Sequence, residues 1–484
     1  MTDLPQAFLA EMRARLGDEF AAFLASYDQP HVTSLRLNPF REHAEALAAP
    51  FIDGPVPWEP FGRYTRPGTR PGLSLAHFGG AYYMQEASAM LAAAALDVRP
   101  GMKVLDLCAA PGGKSGQILR MLAGRGLLIS NEPDAARARM LAGNLERLGA
   151  VNAVVTNEYP DRLAPVFPAF FDAILVDAPC SGEGMFRRDP GAIAEWNPSL
   201  PEFCHRRQLT ILESAAAMLR PGGQLVFSTC TFNSTENEGT VAAFLAAHPE
   251  FTPEDFRLPG IGASEGGMLR AWPHLLRGEG HFVCRMRKQD DGEAAGREPE
   301  RRAPEGRDRN PGRGRRGHAA AGTGAASARP GALREADALD MLLRDALGGV
   351  APEFLREQRL YLAGDRLYAR PEALPDLDGI RCPKPGLALC RVGRGYVEPD
   401  HALAMALRPG QAGGALPLDD EAAWRYLAGE ALPEGGKGWM LATWNGLPLG
   451  WGKASGGLLK NHLPKGLRRV GGAPTEGVAD SPAT

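Results

Sequence analysis

Between positions 103 and 287, short apolar runs alternate with amphipathic helical patterns, and no other feature of this 484-residue chain constrains its fold as strongly. Residues 103–108 read as a buried strand, 114–123 as a helix and 126–131 as a second strand. Positions 133–148 carry apolar residues at helical spacing, with Pro133 in the first turn. Two further strands are expected at 153–156 and 173–177, then a helix near 205–219 and a strand at 224–229. A helix near 235–247 and a last strand at 281–287 complete the series. This order predicts an α/β fold, a Rossmann-like parallel sheet with helices on both faces. In such sheets ligands sit beyond the carboxyl ends of the strands. Chemistry is therefore expected in the loops after Leu107, Ser130, Val176 and Ser228.

The pattern stops abruptly. Between Arg287 and Leu333 there is no Leu, Ile, Val, Phe, Tyr, Trp or Met. Such a segment buries too little apolar area to offset the entropy of ordering it, so 288–332 is expected to be a disordered linker. Its run Gly312-Arg313-Gly314-Arg315-Arg316-Gly317 matches G-x-G-x-x-G in letters only, since no strand precedes it and no helix follows. The remaining chain divides into an N-terminal extension (1–95), the sheet domain (96–287), a small domain (333–398), a β-rich unit (399–472) and a tail (473–484). The extension opens with a helical pattern at 6–24 and continues through Trp58, Phe61 and Tyr64; the β-rich unit alternates Trp439, Leu441 and Thr443 with glycine turns.

A net charge of −3 rules out nucleic-acid binding by bulk charge, though not through a local basic face. No apolar run approaches the roughly 18–20 residues that span a membrane. The start, Met1 to Gln6, lacks a basic-then-apolar leader. Seven cysteines, an odd number without a C-x-x-C pair, support neither a disulfide framework nor a zinc ribbon, and no metal is expected. The chain reads as a cytoplasmic, reduced, multidomain protein.

The first strand runs into Cys108-Ala109-Ala110-Pro111-Gly112-Gly113-Lys114-Ser115. Small residues and two glycines let the backbone approach a ligand, and the helix start that follows favours negative charge. Gly113-Lys114-Ser115 looks like the end of a Walker A loop, but Cys108 stands where that loop needs glycine. A tight turn without a ligand is the plainer alternative. Glu132 ends the second strand, where an acid of a doubly wound fold bonds ribose hydroxyls; alone it reads equally well as a solvated cap. Together, loop and acid describe a nucleoside-cofactor site. Next, Asp177-Ala178-Pro179-Cys180-Ser181-Gly182 leaves one strand end, and Ser228-Thr229-Cys230-Thr231 leaves another. Free cysteines are mostly buried small hydrophobes, the reading adopted for Cys204, Cys284, Cys382 and Cys390. Two thiols just past strand ends in a ligand crevice are instead placed for thiolate chemistry.

The 108–114 loop and the two cysteine motifs, in this order, resemble the RNA cytosine-5 methyltransferases of the Nop/Sun family, and within it the bacterial RsmF-type enzymes of 16S ribosomal RNA. The likeness takes in Gly182-Glu183-Gly184-Met185-Phe186-Arg187-Arg188, Tyr83-Met84-Gln85-Glu86-Ala87-Ser88 and Gly446-Leu447-Pro448-Leu449-Gly450-Trp451-Gly452-Lys453. It spans Leu4 to about Val470 without the linker. The resemblance implies S-adenosylmethionine in the crevice, with Cys108, Ala109, Ala110, Pro111, Gly112, Gly113 and Lys114 around its methionine and ribose and Glu132 on the ribose. It implies Asp177 between cofactor and base, Cys230 as nucleophile and Cys180 assisting product release. The family often has an aspartate for the adenine amine where this chain has Asn157, whose carbonyl is the available acceptor. Also implied are an RNA-binding role for 1–95, a PUA-like RNA-binding unit at 399–472, and 16S ribosomal RNA or the small-subunit assembly as partner of a monomer. Lys453, Lys460, Lys465, Arg468 and Arg469 fall near Trp444 and Trp451 there. Trp439 reads as core, whereas Trp451 is open between core and base stacking. The rival readings are the same chemistry on transfer RNA or another ribosomal cytosine, and a non-catalytic RNA-binding assembly factor. Intact Cys180 and Cys230 argue against the last.

Overall fold

The computed structural model describes residues 4–290 and 334–469, apart from 409, 434 and 435. The expected linker beyond Asp290, its glycine–arginine run and the expected tail lie outside the described residues. The central sheet has eight strands: β1 (Lys103–Asp106), β2 (Leu127–Asn131), β3 (Ala153–Thr156), β4 (Phe171–Asp177), β5 (Leu219–Thr229), β6 (Phe251–Pro253), β7 (Met268–Ala271) and β8 (His281–Lys288). They follow the order β6-β8-β5-β4-β1-β2-β3, with β7 paired to β8. The five strands from β5 to β3 are parallel. β8 runs antiparallel to β5, and β6 and β7 antiparallel to β8, so one edge departs from the all-parallel sheet that the alternation suggests.

Alternate strand residues build two cores. Val104, Leu128, Val155 and Leu175 face Leu91, Ile118, Leu122, Leu141 and Leu145 of one helical layer. Leu105, Ile129, Val154, Ile174 and Val176 face Ile211, Leu212, Ala215 and Phe244 of the other. The helix expected from Pro133 starts later, as Ala135–Arg147, because Asp134 accepts from the N–H groups of Ala136 (2.9 Å) and Arg137 (2.8 Å) and so caps it. The helix expected near 235–247 opens with a π-turn, Thr235–Gly239, ahead of Thr240–Ala247.

Around this sheet lie three smaller units. The N-terminal pattern at 6–24 breaks at Gly17 into helices Gln6–Leu16 and Phe20–Ser26, followed by a four-stranded antiparallel sheet. After the undescribed segment, helix Glu335–Ala346 precedes a second four-stranded antiparallel sheet. A five-stranded sheet ends the described chain. In it Trp439 is buried, as expected; Trp451 is also core, 1% exposed, with its indole N–H donating to the Asp400 carbonyl at 2.9 Å. Base stacking on Trp451 is thereby removed. The edge of β3 is covered by the C-terminal half, through Val155 N–H to the Lys384 carbonyl (2.9 Å) and Asn157 N–H to that of Arg381 (2.8 Å). No helix among the described residues is long and apolar enough to cross a membrane.

Candidate active site at the carboxyl ends of the strands

β1 delivers Asp106 and the loop that follows it. Ala109 N–H bonds the Asn131 carbonyl at 2.9 Å, tying the loop to the end of β2. Gly112 turns the chain into helix Gly113–Leu122 with φ +111°, a conformation glycine alone takes readily. Asp106 is fully buried and accepts one hydrogen bond, from Ser115 Oγ at 2.6 Å. Its Oδ1 has no partner among the described residues. Burial pushes this carboxyl up to about 7.

β4 and β5 end side by side, Asp177 opposite Ser228. Asp177 accepts from Lys114 Nζ at 2.7 Å and from Ser228 Oγ at 2.8 Å, and His281 Nε2 lies 3.6 Å away. Burial opposes its charge, but Lys114 and His281 outweigh burial and hold the carboxyl well below the usual aspartate range. In return Asp177 keeps the Lys114 ammonium charged against its own desolvation. Just past these strand ends, the sulfurs of Cys180 and Cys230 lie 3.4 Å apart. The hydrogen bond with Cys230, burial and the nearby Glu236 push the Cys180 thiol well up.

Two buried glutamates hold the cysteine loops together. Glu183 accepts from the N–H groups of Phe232 (2.8 Å) and Asn233 (2.9 Å) on the Cys230 side. Glu236 reciprocates by accepting from Ser181 N–H (2.9 Å), Gln208 Nε2 (3.0 Å) and Asn233 Nδ2 (2.7 Å). Gly184 lies so close beneath that a Cβ there would meet the Cys230 carbonyl oxygen at 2.8 Å.

A cavity of about 580 Å³ opens beside these groups. Of the residues expected at the site, Cys108, Ala109, Ala110, Pro111, Gly113, Lys114, Asp177 and Cys230 line it. Cys180 touches Cys230 from behind, and Gly112 supports the loop. Glu132 and Asn157 are not among its lining residues and stand next along the same loop ends, just after β2 and β3. Glu132 accepts from Asp134 N–H at 3.0 Å, and Asn157 Nδ2 donates to the Glu132 carbonyl at 2.8 Å. Asp106 and His281 also line the cavity, and the sequence reading does not single them out. An acid closing an apolar strand is the available signal for Asp106; nothing local marks His281. Cys204, Cys284 and Cys390 are buried as expected, while Cys382 is only half-buried and its thiol donates to the Val155 carbonyl at 3.1 Å.

A protein of Cronobacter sakazakii named Ribosomal RNA small subunit methyltransferase F is 32% identical to this chain, over 97% of each. The chain belongs to the RsmF family. A relative of the same name from Escherichia coli K12 is 31% identical over 96% of this chain and 97% of its own. Four RsmF-family segments match in order: the N-terminal domain of 16S rRNA methyltransferase RsmF at 4–87, 16S rRNA methyltransferase RsmB/F at 93–287, the RsmF first C-terminal domain at 347–407 and the RsmF PUA domain at 414–469. Among solved structures, a methyltransferase homolog protein from Pyrococcus horikoshii is 28% identical, with a TM-score of 0.51 over 59% of this chain and 96% of that one. NSun6 from the same organism, 20% identical, shares the fold with a TM-score of 0.53 over 60% of this chain and all of its own. The central sheet of this RsmF-family chain is that of S-adenosylmethionine-dependent methyltransferases.

Proposed function

We propose that the protein methylates carbon 5 of a cytidine in 16S ribosomal RNA through a covalent adduct with Cys230. The observation that carries this reading is the pair of sulfurs 3.4 Å apart at neighbouring strand ends, beside the Lys114–Asp177 ion pair. A binding protein needs neither thiol.

S-adenosylmethionine supplies the methyl group. The cavity fits it: the unpaired Oδ1 of Asp106, buried beside the 108–114 loop, suits the cationic methionine end of such a molecule. Cys108 to Lys114 would hold that end, Glu132 the ribose and Asn157 the adenine.

The protein's own groups then act on the base. Carbon 5 of cytosine is a poor nucleophile. Addition of the Cys230 thiolate to carbon 6 forms a C–S bond and makes carbon 5 enamine-like, able to accept a methyl group. Ring nitrogen 3 takes up a proton from solvent as the thiolate adds and returns it to solvent when the C–S bond breaks; Asp177, held as an anion, accepts a hydrogen bond from that N–H in between and so favours the addition. Removal of the carbon 5 proton then lets the C–S bond break and returns Cys230 as thiolate. Cys180, directly or through water, is the base for this step. A base inside a helix is out of reach, so the target must be unpaired or extruded, at a cost of roughly a few kcal/mol. The N-terminal and PUA units grip the RNA, the latter through the exposed Lys453, Lys460, Lys465 and Arg469.

The two cysteines separate the steps. Cys230→Ala should give neither methylation nor trapped RNA. Cys180→Ala should accumulate a protein–RNA complex that survives denaturing electrophoresis when cofactor is present. The reverse pattern exchanges the roles; no adduct in either, with both variants folded and binding cofactor, removes thiolate addition.

A further inference from the structure

A second cavity, of about 470 Å³, lies where three parts of the chain meet. Its wall combines residues 36–41, the stretches 116–125 and 148–152 of the sheet domain, and C-terminal positions between 353 and 411. It shares no lining residue with the catalytic cavity and sits by the amino ends of β2 and β3, away from the thiols. Six arginines and two glutamates line it.

Arg41 is the telling residue. It is 7% exposed, with Nη2 donating to the Met405 carbonyl, while its Nε has no partner among the described residues. Burial lowers it to about 10, helped by the two charges acting on it, Arg147 and Arg408, which are both positive. Burying a guanidinium against other guanidiniums, with one polar N–H unsatisfied, is costly unless an anion joins them. Arg125 and Arg408 stand exposed at the rim. The volume exceeds what a bare phosphate fills and falls in the range of small-molecule sites. The half-buried rings of Phe40 and Phe354 and the side chain of Leu119 add an apolar wall on which a base can lie.

We infer that this cavity binds a nucleoside monophosphate unit, its phosphate meeting Arg41 and Arg408 and its base the apolar wall. The unit is either a free mononucleotide or one nucleotide of an RNA.

Calorimetry on the full chain tests this with 5′-AMP and 5′-CMP as probes, in saturating S-adenosylhomocysteine to fill the other cavity. The monophosphates should bind at least about tenfold more tightly than adenosine, cytidine or inorganic phosphate alone. Arg41→Gln should weaken them about tenfold or more, the loss of a charge-assisted contact. The exposed Arg408→Ala and Arg125→Ala, which do not threaten folding, should each weaken them severalfold, with S-adenosylhomocysteine affinity unchanged. Displacement of labelled AMP by a short hairpin with one unpaired nucleotide assigns the site to RNA; retention of AMP assigns it to the free nucleotide. Absence of monophosphate binding, binding matched by inorganic phosphate, or affinity indifferent to the rim variants overturns the inference.

Discussion

Asp106 and Asp177 share a cavity but stand in opposite electrostatic surroundings. Asp177 has an ammonium, a hydroxyl and an imidazole around it and stays ionised. Asp106 has one hydroxyl partner and, among the described residues, no cation beside it in hydrogen-bond contact, and burial takes it to about 7. The sign of the pH effect follows. A carboxyl whose folded pKa lies above its unfolded value favours the fold while protonated; that stability is complete below about pH 4 and is lost as pH rises through about 7. Asp106→Asn cannot ionise and escapes the loss. Relative to the wild type it should therefore gain stability from pH 5 to 8, by an amount that levels off on the order of 4 kcal/mol. Thermal melts across that range check this; a gap that stays constant with pH contradicts it. The Cys180 thiol belongs to the same scale: it is a thiol at rest, so as a base it works as a relay, passing its own proton to water as it takes up the one from carbon 5.

At the level of elements, the packing of loops carries as much as the strands. Gly184→Ala places a methyl group against the Cys230 carbonyl, a backbone atom that moves only with its loop. Methylation should drop at least about tenfold, as expected when reacting groups shift by fractions of an ångström, while cofactor affinity stays near wild type; an equal loss in both places the damage elsewhere. Asp134→Ala removes the two capping bonds of helix Ala135–Arg147 and should cost about 1 kcal/mol in urea unfolding. The parallel strands and their helices are legible in the sequence because alternating apolar runs and helical spacing are local signals. The direction of β8 is not, since the pattern of an eight-residue strand reads alike whichever way it is paired. Cys180 and Cys230 can be named as candidates from their position just past strand ends, and Asp177 from closing one. Glu183 and Glu236 cannot, because their burial depends on partners about 50 residues away in sequence. Trp451 stays open in the sequence for a related reason: its indole partner, Asp400, lies 51 positions upstream.

Across the whole molecule, the C-terminal half docks on the sheet through both apolar packing, with Leu374 in the core of the sheet domain, and specific polar contacts. Glu158 accepts from the backbone N–H of Arg381 at 3.0 Å and from its Nε at 3.1 Å. Burial opposes the charge of Glu158, but these bonds outweigh it and lower the carboxyl below its ordinary range. A depressed glutamate contributes stability above its unfolded pKa, lost as pH falls through the folded one. Glu158→Gln should accordingly melt below the wild type at pH 7, and the two curves should converge as pH falls under about 4. A difference that persists in acid would assign the effect to shape rather than charge. The same docking has a further consequence. β3 is the terminal strand of the sheet, and its free side is occupied by the backbone around Arg381 and Lys384. Cut away from its C-terminal half, the catalytic domain would present a row of unpaired peptide groups along β3, an open template for another chain. The second half of the protein thus covers an edge that is otherwise open to self-association, and an isolated 1–290 fragment should sediment as concentration-dependent aggregates where the full chain does not.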